Sequence, residues 1–150
     1  MPTNYQVAQA GEHLVAAEIF RRGGYAALLI GNRPKVDLFA SSPEQDRTVS
    51  IQVKAKSDGK RGGWQTKTTY GERRKKDPEE NAFWILVDVG NVPPRFWIVP
   101  EWWMLNYIYE RTKRLKLDTR PGGTTHFAIR LPAVDEWRDR WDLLGIFPDV

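Results

Sequence analysis

Residues 49–54 read Val-Ser-Ile-Gln-Val-Lys, an unbroken apolar–polar alternation that restricts this stretch to a half-buried strand. Strand side chains point alternately to two faces, so Val49, Ile51 and Val53 share one face and Ser50, Gln52 and Lys54 the other. Upstream lies a second short run, Val36-Asp37-Leu38-Phe39, and between the two Ser41 to Arg47 has the composition of a turn. A hairpin folding about Glu44-Gln45 sets Asp37 opposite Gln52. Directly opposed residues share a face at roughly 5.5 Å between Cβ atoms. Local geometry alone therefore gathers Asp37, Gln52 and Lys54 on one side of a sheet.

A carboxylate and an amide carbonyl are hard oxygen donors, suited to magnesium or manganese held with several waters rather than to zinc. A lysine two residues from the amide can hold a water or a phosphate oxygen beside such an ion. Those are the parts that phosphodiester hydrolysis needs: activated water, a polarised phosphorus and a cation against the charge of the transition state. The plainer reading is a solvated cross-strand pair. Two further features favour the site. Glu12, in the helix before the hairpin, falls on the same helical face as Ala8, Val15, Ala16 and Ile19, where a carboxylate is costly unless something compensates it. The alternative puts it at the rim of that face, because Val7 and Leu14 make the other side apolar too. The second feature is charge, since Lys54 to Lys76 contains nine Lys or Arg against two acids.

Glu12 on an N-terminal helix, Asp37 on one strand and Gln52-Val53-Lys54 on the next resemble the PD-(D/E)XK nuclease superfamily, which includes restriction endonucleases and Holliday-junction resolvases. The resemblance implies an α/β fold with a restriction-endonuclease-like core, a mixed central sheet of about five strands flanked by helices. It also implies a metal-dependent endonuclease acting on DNA as a homodimer, with Mg2+ or Mn2+ as cofactor. Carried over residue by residue, Asp37, Gln52 and Glu12 would bind the metal and Lys54 would be the catalytic lysine. Gln52 stands where a carboxylate is usual; a Gln-x-Lys version occurs in some members, including a group of intron-encoded homing nucleases. Its carbonyl brings no charge to the ion, and this favours the rival reading of a nucleic-acid-binding or protein-interaction module that has lost catalysis.

The remaining chain frames this core. Thr3 to Gln6 reads as a capping box that starts a helix from about Asn4 to Arg22, ended by Gly23-Gly24. Tyr25 to Ile30, a continuous apolar run, is expected to be a strand covered on both faces, with residues 31–35 a turn into the hairpin. Residues 57–80 read as a loop, with at most a short helical turn at 71–76. Its Lys60, Arg61, Lys67, Arg73 and Arg74, together with Lys56, are the candidate phosphate contacts, against the plainer reading of a solvated loop. Phe83 to Val89 and Arg95 to Val99 form a second hairpin, in which Asp88 near the strand end suits a turn role. Pro100 opens a helix to about Arg114, His126 to Leu131 is a short edge strand, and Asp135 caps a last helix with a Trp137, Trp141, Leu144 stripe.

A chain of 150 residues suits one domain. Seven Trp are many, and they are read as packing or interface. The absence of Cys excludes disulfides and thiolate zinc sites and agrees with a cytoplasmic setting. No apolar run is long enough for a membrane helix, and the basic pI near 9.4 permits a polyanionic partner.

Overall fold

The computed structural model describes residues 1–30, 35–57, 62–123 and 125–148. Helix α1 (Asn4–Arg21) leads into a hairpin-like series β1 (Tyr25–Leu28), β2 (Leu38–Ser41) and β3 (Thr48–Lys56), followed by β4 (Trp64–Lys67), β5 (Ala82–Asp88) and β6 (Arg95–Pro100). Helix α2 (Glu101–Arg114), β7 (His126–Ile129) and a short α3 (Leu131–Val134) complete the order. The main sheet runs β1-β2-β3-β5-β6, mixed because β3 and β5 are parallel while the other neighbours are antiparallel.

The alternation in β3 divides two cores. Val49 and Ile51 join Leu38, Phe83, Ile85 and Val87 under α1, which contributes Val15 and Ile19. On the opposite face Trp84, Leu86, Trp97 and Val99 pack beneath Met104, Leu105 and Ile108 of α2. The interior strand β5 is buried from Phe83 to Asp88, as expected of a strand with a layer on each side. Helix α1 begins with the predicted capping box: Thr3 Oγ1 accepts from the Gln6 N–H at 3.1 Å, and Gln6 Oε1 accepts from the Thr3 N–H at 2.8 Å. Gly11 lets the helix lie close on the sheet, since a Cβ there would stand 2.6 Å from the Ala55 Cβ. The next residue is Glu12.

Several elements differ from the sequence expectation. Strand β1 ends at Leu28 and is the exposed edge of the sheet, not a strand covered on both faces; its apolar residues include Tyr25 at 52% exposure. Part of the expected turn, residues 31–34, lies outside the described residues. The span 57–80 is not all loop: Trp64–Lys67 pairs with β7 in a small second sheet, with Thr66 opposite Phe127. No helical turn forms at 71–76, and a single 3-10 turn at Thr68–Tyr70 precedes it. Trp64, buried in the second core and bonded through Nε1 to the Val87 carbonyl at 3.0 Å, provides the packing that ties this strand down. The expected last helix, capped by Asp135, is instead two 3-10 turns, Asp135–Trp137 and Trp141–Leu144, preceded by the short α3. Trp137 belongs to one core and Trp141 and Leu144 to the other, so no single helical face could carry all three.

Candidate active site at the head of the hairpin

The hairpin register is the one the sequence dictates near its turn: Leu38 faces Ile51 and Ala40 faces Val49. At Asp37 the pairing slips by one. Its N–H donates to the Ile51 carbonyl at 2.8 Å, so Asp37 and Leu38 both address Ile51, the arrangement of a β-bulge. The Asp37 carboxylate then turns back onto β3, where Oδ2 accepts from the Val53 N–H at 2.7 Å. Re-aimed in this way, Asp37 reaches across to α1.

There it meets Glu12. The Glu12 and Asp37 carboxyls interact, and each alters the other's hold on a proton. Both groups lie above the ordinary carboxylate range, and for both the main cause is loss of water around the charged form. Mutual repulsion adds to the rise of Glu12, while the Val53 N–H and the nearby Lys54 charge partly restrain Asp37. Gln9, one turn earlier on the helix, holds Glu12 in place: its Nε2 donates to Glu12 Oε2 at 2.7 Å. Sequence reasoning missed Gln9, although its i, i+3 spacing from Glu12 on one helix face was the signal.

Lys54 completes this group. Its ammonium lies 5.9 Å from the Trp84 ring centroid and feels the Asp37 charge. Burial is the main cause that brings its pKa below the usual lysine value; Asp37 opposes this, and the Lys67 charge adds to it. Lys67, exposed on β4, is thus brought near Lys54 by the small second sheet.

Gln52 is placed differently. It is buried, and its side chain lines a cavity of about 320 Å³ with Lys35, Tyr70, Trp84 and Glu101, whereas Glu12 lines a groove of about 350 Å³ with Tyr5, Gln9 and Ile30. Trp84 pairs with Gln52 in register and lies beneath Lys54. Glu101, also missed from the sequence, is pushed upward by burial first and then by Glu80.

The remaining candidate cations divide. Arg73 is exposed, with its guanidinium 5.2 Å from the Tyr109 ring, and Arg74 is tied to the body by an ion pair with Glu80 at 3.0 Å. Lys60 and Arg61 lie outside the described residues. Lys56 corrects the sequence expectation of a phosphate contact: it is 6% exposed, 3.9 Å from Asp88 and 5.0 Å from the Trp64 ring, so its charge is directed into the interior. The alternation of β3 puts Lys54 and Lys56 on one face, but Trp64 covers only the second.

Among the described residues no cluster of three or more His, Cys, Asp or Glu forms a ready-made metal site. Two partly buried carboxyls, one of them raised further by the charge of the other, nevertheless suit a divalent cation, which would relieve that repulsion. A hard ion that keeps several waters needs no more than one or two carboxylates.

No family model matches the sequence, and no curated protein is similar enough to match it. The structure does have a relative in shape: it is similar to a bacterial homing endonuclease, I-Ssp6803I, with a TM-score of 0.56 over 97% of this chain and 94% of that one. The fold is similar to that of a homing endonuclease. At 16% identity the likeness is one of architecture, and it extends over the whole length of both chains rather than the hairpin alone. Among the described residues, no helix is long and apolar enough to cross a membrane.

Proposed function

We propose that this chain is a PD-(D/E)XK-type endonuclease that hydrolyses DNA phosphodiester bonds with Mg2+ or Mn2+. The observation that carries the reading is the meeting of Glu12 and Asp37 beside Lys54, from a helix and two strands. The likeness to a homing endonuclease supports it at the level of fold. Asp37 and Glu12 would hold the ion, with the Gln52 carbonyl as a neutral donor from the neighbouring cavity. When bound, the ion would supply Lewis-acid polarisation and acidified water.

The protein's own groups do the rest. The Val53 N–H fixes one Asp37 oxygen and Gln9 fixes one Glu12 oxygen, so the acids are oriented before any ligand arrives. Lys54, with its lowered pKa, can exchange a proton at Nζ with an attacking water or stabilise charge on the phosphate oxygens. A homodimer would offer one such site to each strand of a duplex.

The second reading is a DNA- or protein-binding module without catalysis. It is favoured by Gln52, which contributes no charge and lines a cavity other than that of Glu12. Incubation with supercoiled, linear and branched DNA plus Mg2+ or Mn2+ separates the two. Cleavage is expected in the wild type and should fall at least about a hundredfold in Asp37→Ala and Lys54→Ala. DNA binding without cutting under every metal condition would establish the module instead.

A further inference from the structure

A cavity of about 460 Å³ lies between the 3-10 turn Thr68–Tyr70 and the C-terminal end of α2. Lys113 and Lys116 line it, with Thr69, Thr119 and Tyr109, and among the described residues no acidic side chain lines it. Among the described residues neither lysine makes an ion pair with an acid. Thr69 and Gly71 form a shared wall, facing this cavity on one side and the Gln52 cavity on the other. Trp84, which lines the Gln52 cavity, lies beneath Lys54.

Cations in the last turn of a helix often only balance its dipole, about half a negative charge. That explanation falls short here. Residues 111–120 contain five Lys or Arg and one acid, Asp118, the same net charge as the entire chain. Arg120 is taken by Asp118 at 2.9 Å, but Lys116 lies beyond the helix end and still turns into the cavity. Arg73 extends the positive rim, packed on Tyr109.

We infer that this cavity is a phosphate-backbone subsite for DNA, holding the strand away from the bond that is cut. The inference rests on the proposed nuclease reading and adds a binding region that the sequence reading of residues 54–76 did not include. Hydroxyls and lysines without base-reading groups at their centre suit sugar–phosphate contact, which positions a duplex without selecting its sequence.

The test is binding of a fluorescently labelled duplex by the full chain without divalent metal, over a range of salt, using wild type, K113Q/K116Q and the control R21Q/R138Q. Arg21 and Arg138 line neither cavity. Thermal melting checks that each variant folds. K113Q/K116Q should weaken binding severalfold and lower the slope of log affinity against log salt by up to about 0.9 for each lysine that meets a phosphate. An unchanged affinity and slope, or an equal loss in R21Q/R138Q, overturns the subsite while leaving the nuclease reading intact if wild type cuts DNA. A wild type that neither binds nor cuts DNA overturns both.

Discussion

Strand β3 carries two lysines two residues apart on one face, and their surroundings have opposite characters. At Lys56 the acid is Asp88, fully buried and surrounded by donors: the Gly90 N–H at 3.0 Å, Asn91 Nδ2 at 2.6 Å and an Arg95 guanidinium nitrogen at 2.8 Å. At Lys54 the acids are Asp37 and Glu12, partly exposed and both raised above the ordinary carboxylate value, chiefly by burial. The first cluster satisfies its charge internally and closes the β5–β6 turn, as the position of Asp88 near a strand end suggested. The second leaves its acids short of positive charge, the state in which a group can respond to an incoming cation. An acid–lysine pair on a sheet is thus structural or chemical according to how fully its neighbours satisfy it.

The largest expected effect tests the satisfied cluster. Asp88→Ala removes a fully buried acid that accepts from the Gly90 N–H, Asn91 and Arg95, and should cost about 3–5 kcal/mol in urea unfolding. Asp37→Asn, by contrast, relieves a repelling acid and should leave stability unchanged or slightly raised. Equal losses in the two variants would erase the distinction. Next is Gly11→Ala, whose methyl meets Ala55; displacement of α1 should cost roughly 1–3 kcal/mol and also lower cleavage by moving Glu12 from Asp37.

A smaller effect comes from pH. The folded pKa of Glu12 lies above its ordinary value, so below about 4 both folded and unfolded states hold the proton and there is no penalty. As pH rises through the raised value the folded state must give up a proton it holds more tightly, and stability falls. Metal-free wild type should therefore lose stability relative to Glu12→Gln over that window, and added Mg2+ should reduce the loss. Parallel pH curves for the two proteins would show that Glu12 is not under strain. The smallest effect expected is that of Gln9→Ala, about a tenfold loss in metal affinity measured by calorimetry, with folding unchanged.

Much of the framework was legible because it depends on local pattern. The capping box, the β3 alternation, the hairpin register and the apolar β5 and β6 each follow from spacing within a few residues. The errors share a cause. Tyr25 to Ile30 looks like a covered strand because apolar runs do not state how many layers will meet them. Residues 64–67 looked like loop because their partner, β7, lies about sixty residues further along the chain. The tryptophan stripe failed because its members were divided between two cores.

For the candidate site, the sequence determined which side chains could take part: Asp37 and Lys54 follow from strand alternation, and Glu12 from its place among apolar helix residues. Tertiary structure decided their condition. A slip of one residue at Asp37 and the close seat of α1 on Ala55 brought the two acids together, while Trp64 sealed Lys56 away and left Lys54 at the opening. Periodicity records the face on which a side chain starts, but the water and charge around it depend on which distant segments come to rest there.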